Sequence, residues 1–183
     1  MLISLAFLIY VFIKNSAATG LRILNTGVSL SSNMKVQKDI VFDTNKNLAL
    51  DIYTHADWQA ETKRPVLIFF YGGGWSWGDK AYFKFVADSF VDKGYVVVIP
   101  NYTLYPAAKY PEFVKDGAKA VAWVHQNIAK SGGDINNLFV TGHSAGAYIA
   151  AMVAFNDQYL AAENQSTSII KAITLSYSSS LPL

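Results

Sequence analysis

Hydrophobic positions fall into two kinds of run along the chain. Unbroken apolar stretches occur at Pro65–Tyr71, Tyr95–Pro100, Asn137–Thr141 and Ile169–Leu175. Such stretches suit strands buried on both faces of a sheet, where neither side of the pleat meets water. Between them lie helical patterns. Asp79–Lys93 ends at Gly94, a C-cap residue. Pro111–Lys130 repeats Phe113, Val114, Gly117, Val121, Val124 and Ile128 near a 3.6-residue period and stops before Gly132-Gly133. Ala145–Phe155 is small and apolar. Ahead of these, Val36–Phe42 and Leu48–Tyr53 flank the turn residues Asp43–Asn47. Leu48, Leu50 and Ile52 alternate with Ala49, Asp51 and Tyr53, so an antiparallel hairpin is expected. Strands alternating with helices predict an α/β fold: a mostly parallel, twisted sheet with helices on both faces.

The N-terminus departs from this pattern. Leu2–Ile13 is almost wholly apolar and is followed by Lys14 and the small residues Ser16-Ala17-Ala18. Twelve helical residues reach only about 18 Å, short of a bilayer core of about 30 Å. The length matches the apolar region of a signal peptide, although no Lys or Arg precedes it. Residues 1–25 are therefore read as a separate hydrophobic segment, and 34–183 as the folded domain after the polar linker Ser29–Asn33. Export or membrane association through residues 2–13 is expected, with a cytoplasmic location left open.

Composition narrows the function classes. The 183 residues are 52% hydrophobic and 15% charged, which excludes disorder over most of the chain. A net charge of +2 without a Lys/Arg run gives no footprint for nucleic acid. The absence of cysteine removes disulfides, iron–sulfur clusters and Cys-ligated zinc.

Two glycine motifs carry candidate chemistry. Gly142-His143-Ser144-Ala145-Gly146 has the G-x-S-x-G form and sits between a predicted strand and a predicted helix. In that setting the glycines relieve contacts on a tight turn, and the serine is raised above the C-terminal edge of the sheet. Tyr71-Gly72-Gly73-Gly74-Trp75 directly follows another predicted strand. Three consecutive glycines there can turn backbone N–H groups toward one point, as an oxyanion hole requires. Neither motif has the pattern of a P-loop or a dinucleotide fold, so no nucleotide cofactor and no metal are expected.

Together, in this order and two strand–helix units apart, YGGGW and GHSAG resemble the α/β-hydrolase esterases and lipases. The likeness is to the branch with an HGGG loop, the hormone-sensitive-lipase-like and feruloyl-esterase-like carboxylesterases. NLALDIYTH and SGGDINNLFVTGHSAGAYIA add to it, and it covers roughly Val36–Leu175. The resemblance implies an α/β-hydrolase fold and hydrolysis of a small-molecule carboxylic ester through an acyl-enzyme. It makes Ser144 the nucleophile and the amides of Gly73, Gly74 and Ala145 the oxyanion hole. It makes Tyr71, standing for the family's usual histidine, a brace for the loop together with Gly72. Trp75 and Trp77 would line the substrate pocket or pack beneath the loop.

A serine nucleophile needs a base, and the base needs an orienting acid. The resemblance places both after Ser144, yet no histidine follows it, and the only later acids are Asp157 and Glu163. His55 and His125 lie away from the motif, and the His143 side chain is expected to leave the turn in another direction. The chain therefore reads as a C-terminally truncated hydrolase domain without its triad acid and histidine, with an unpaired sheet edge and low solubility. Two further readings stand beside the ester hydrolase: a hydrolase-fold protein that binds apolar ligands without turnover, and an inactive remnant.

Overall fold

β4 (Val96–Pro100) is buried at every position and β3 (Arg64–Phe70) is buried from Val66 onward. Only a central strand covered on both faces permits this. The computed structural model describes residues 19–21, 23, 25, 33–59, 61 and 63–176. The apolar stretch 2–13, the small residues 16–18 and the C-terminal residues 177–183 lie outside them.

Among the described residues six strands form one sheet in the order β1-β2-β4-β3-β5-β6. β1 (Met34–Asp43) and β2 (Leu48–His55) make the expected hairpin, and β2 pairs antiparallel with β4. β4, β3, β5 (Gly133–His143) and β6 (Ile170–Ser176) are parallel. The crossovers run through α1 (Lys84–Val91), α2 (Glu112–Asn127) and α3 (Ala145–Phe155). β3-α1-β4 steps one way along the sheet, and the next two crossovers step the other way. With right-handed connections, α1 lies on one face and α2 and α3 on the other. The reversal falls between β3 and β5, where open α/β sheets place their ligand crevice at the strands' C-terminal ends.

Several boundaries differ from the sequence reading. The expected helix 79–93 is a 3-10 turn (Lys80–Phe83) followed by α1, because Asp79 caps the turn by accepting from the Ala81 amide at 2.8 Å. It ends with Gly94 at φ +95°, as a left-handed cap requires. The expected helix 111–130 is α2 tightened into a 3-10 turn at Ile128–Ser131. β5 begins four residues before Asn137, at Gly133, and β2 runs two residues past Tyr53, to His55. α4 (Asp157–Ala161), capped by the Asn156 side chain, was not expected: five residues are too few to show a helical period.

Charge joins the hairpin to the helices. Asp43 and Asp116, both buried, pair with Lys119 at 2.8 Å and Lys46 at 2.6 Å, so the hairpin turn is tied to α2. At the other edge β6 exposes Lys171, Ala172, Thr174 and Ser176.

Candidate active site

Ser144 occupies the turn between β5 and α3 and is exposed. Its backbone sits at φ +52°, a region costly for a residue with a side chain. Two close approaches hold it there. A Cβ on Gly146 would collide with the carbonyls of Phe70 and Tyr71 at the end of β3. A Cβ on Gly142 would collide with the Gly146 backbone. The Ser144 amide donates to the Ser176 carbonyl at 2.9 Å, and its carbonyl accepts from the Tyr148 amide at 3.2 Å, opening α3.

The glycine loop comes off β3 beside this turn. Gly72 lies against it: a Cβ there would stand 3.2 Å from the Ser144 Cβ. Gly73 and Gly74 follow at φ +139° and +57°. The Gly73 carbonyl accepts from the amides of Ser76 and Trp77, both at 3.1 Å, which curls the loop on itself. Ala145 is the first residue of α3, where a backbone amide has no partner within its own helix. The loop and the turn thus face one cavity of about 700 Å³, lined by Gly72–Gly74, Trp77, Phe83, His143 and Ser144. Leu21 and Ile23 also line it.

Tyr71 anchors the loop from below. It is 1% exposed and stacked between Phe83 (5.3 Å between ring centres) and Tyr102 (4.6 Å). Its hydroxyl donates to Asn101 Oδ1 at 2.9 Å, and its carbonyl accepts from the Tyr102 hydroxyl at 2.8 Å. Burial raises the pKa of both phenols well above the ordinary value, so they stay neutral hydrogen-bonding groups.

The two tryptophans part company. Trp77 lines the Ser144 cavity and stacks on Tyr82 at 5.7 Å. Trp75 does not reach that cavity. It stacks on Phe113 at 5.4 Å, meets Tyr148 edge-on at 5.8 Å, and lines a second, aromatic cavity of about 530 Å³ with Tyr105 and Tyr110. Gly74 borders both cavities.

His143 borders the Ser144 cavity instead of turning away from it, but its imidazole makes no hydrogen bond to Ser144 among the described residues. His55 is occupied elsewhere, accepting from the Asp57 amide at 3.3 Å and stacking on Trp58. His125 sits in the last turn of α2. Asp157 accepts from Thr167 Oγ1 at 2.9 Å. Asn101, Lys80 and Phe83 carry no motif, and sequence reasoning gave them no role.

Residues 50–177 match the BD-FAE family description. The chain belongs to the BD-FAE family. Named relatives agree. Esterase LipQ of Mycobacterium tuberculosis is 36% identical over 108 residues, 58% of this chain and 26% of that protein. Carboxylesterase NlhH of the same organism is 32% identical over 142 residues, 75% of this chain and 43% of that one. Isoprenylcysteine alpha-carbonyl methylesterase ICME of Arabidopsis thaliana is 29% identical over 128 residues, 70% of this chain and 30% of that protein. Among solved structures, esterase 2 of Thermogutta terrifontis phosphonylated by sarin superposes with a TM-score of 0.68 at 29% identity, covering 78% of this chain and 53% of that one. The fold is therefore the α/β-hydrolase fold of the BD-FAE esterases. The chain spans about a quarter to two-fifths of these curated relatives, and about half of the solved chain.

Proposed function

We propose that the chain carries the nucleophile and oxyanion site of a serine carboxylic-ester hydrolase. The observation that supports this most directly is the exposed Ser144, held at positive φ beside the glycine loop on one apolar cavity. In the reaction Ser144 Oγ attacks the ester carbonyl carbon and its proton passes to a base. The carbonyl oxygen becomes an oxyanion held by the amides of Gly73, Gly74 and Ala145, a contribution of about 10²–10³ in rate per donor. The bond to the alcohol breaks and the alcohol leaves with a proton. Water then attacks the acyl-enzyme, releasing the acid and restoring Ser144. Trp77 and Phe83 shape the cavity that receives the apolar part of a small-molecule ester.

Among the described residues none of His55, His125 and His143 is hydrogen-bonded to Ser144, so we assign the base to none of them. We assign the apolar residues 2–13 to export or membrane association.

The test is hydrolysis of p-nitrophenyl butyrate. Slow turnover above the buffer rate, removed by Ser144→Ala, is expected. Turnover of these 183 residues at ordinary enzyme rates would show that one of the three histidines serves as the base, against this reading. Hydrolysis indifferent to Ser144→Ala would overturn the nucleophile. That no histidine is hydrogen-bonded to Ser144 among the described residues favours a second reading, a scaffold that binds apolar esters without cleaving them. It requires saturable ester binding, with no cleavage, that Ser144→Ala leaves unchanged.

A further inference from the structure

The segment Gly72–Asp79 contains the glycine loop, and both its ends are fastened to one atom. Asn101 Oδ1 accepts from the Tyr71 hydroxyl at 2.9 Å, before the loop, and from the Lys80 amide at 2.8 Å, after it. Asn101 Nδ2 donates to Asp79 Oδ2 at 3.1 Å, which fixes the amide's orientation. Asn101 itself is held at the end of β4, its backbone amide donating to the Ala49 carbonyl of β2 at 3.0 Å.

The far end of the loop has a second anchor. Lys80 is 5% exposed, and its Nζ lies 2.7 Å from Asp51 Oδ1 and 2.6 Å from Asp39 Oδ1. Asp51 is buried on β2 and also accepts from the Tyr53 hydroxyl at 3.3 Å and the Asp39 amide at 2.9 Å. Burial opposes the lysine's charge, but its two carboxylate partners outweigh that and hold its pKa above the usual value. The cluster lines a separate cavity, and none of its members lines the one that holds Ser144.

An oxyanion donor acts only from its proper place, and a displacement of about 1 Å can cost about a hundredfold in rate. Glycine residues have no side chains to fix them, so the position of their amides depends on contacts made by the rest of the segment, its two ends among them. We propose that Asn101 is a positioning residue, stapling Tyr71 and Lys80 so that the Gly73 and Gly74 amides face Ser144, with the buried Lys80–Asp51 pair as its foundation. This rests on the ester-hydrolase reading above.

The test uses Tyr71→Phe, Asn101→Ala and the double variant in the protein carrying this sequence. Two readouts are taken: hydrogen exchange at the Gly73 and Gly74 amides, and kcat against KM for p-nitrophenyl butyrate. Each single substitution is expected to speed exchange about tenfold and lower kcat about tenfold, leaving KM within about twofold. The double variant should fall no further than the worse single, because both bonds end on one oxygen. Tyr71→Phe removes only a hydroxyl, which keeps the test open should Asn101→Ala fail to fold. Lower thermal stability with unchanged exchange and kcat would reduce Asn101 to a structural role and overturn the proposal. Additive losses would overturn the shared staple. A parent protein without Ser144-dependent turnover sinks the ester-hydrolase reading, and the exchange result then decides alone whether Asn101 holds the loop.

Discussion

Two glycine turns meet at the cavity, and they are held by different physics. The turn at Ser144 is fixed by backbone contact: Gly142 and Gly146 let α3 lie directly on the carbonyls of β3, with no side chain in between. The loop at Gly72–Gly74 is fixed by side chains from elsewhere in the chain, through Tyr71, Asn101 and the ion pairs of Lys80. The first needs particular side chains, or their absence, only within five consecutive residues, because its outside partners are backbone carbonyls. The second depends on residues from four separate stretches of the sequence. One is a local constraint of shape, the other a long-range constraint of charge and hydrogen bonding.

That contrast can be broken from either side. The largest effect is expected for Gly146→Val, whose side chain has nowhere to go against the Phe70 and Tyr71 carbonyls. It should lower stability by about 4 kcal/mol or more, read by denaturant unfolding. Next is Lys80→Met, which leaves the Asp51 carboxylate buried without its cation and should cost about 3 kcal/mol. Lys80→Met combined with Asp51→Leu should recover much of that loss. If the single variant is as stable as its parent, the charged foundation contributes nothing.

Smaller changes sharpen the comparison. Tyr71→Phe removes one buried hydrogen bond and should lower stability by about 1 kcal/mol. Ser144→Gly should act in the opposite direction, raising stability by about 1 kcal/mol as the φ +52° strain is released. A melting temperature that falls in Ser144→Gly would show that the turn is unstrained. Acid should also weaken the ion pair that ties the hairpin turn to α2. Burial pushes the Asp43 pKa up, but hydrogen bonds from Lys119 and from the Asn45 and Lys46 amides hold it below the usual value. Its contribution is thus present above the unfolded carboxylate range and lost as pH falls below about 4. Asp43→Asn should flatten the drop in melting temperature between about pH 5 and about pH 3.

The same contrast explains what the sequence made legible. Continuous apolar runs located β3 and β4, and the alternation Leu48–Tyr53 located the hairpin, because burial on two faces or one writes directly into residue order. GHSAG and YGGGW were legible because each is local and its strand context is local. Asn101 was not, since an asparagine after an apolar strand has the same local pattern whether it faces water or clamps a loop. Trp75 and Trp77 are two residues apart in one loop, yet they line different cavities, and nothing in their spacing separates them. His143 looked disposed away from the cavity because its backbone neighbour pointed in; only the packing of Gly72 beside it set its imidazole on the wall. Helix ends were misplaced where turns tighten, at Lys80–Phe83 and Ile128–Ser131, since apolar periodicity continues through a 3-10 turn.

The central claim is that Ser144 is a nucleophile facing the glycine loop. A fluorophosphonate ester tests it most directly, since the reagent forms a covalent bond to an activated serine oxygen with loss of fluoride. Intact-mass and peptide analysis should find a single adduct on Ser144, absent from Ser144→Ala and slower to form in Asn101→Ala. An adduct on any other residue, or none under saturating reagent, would contradict the account.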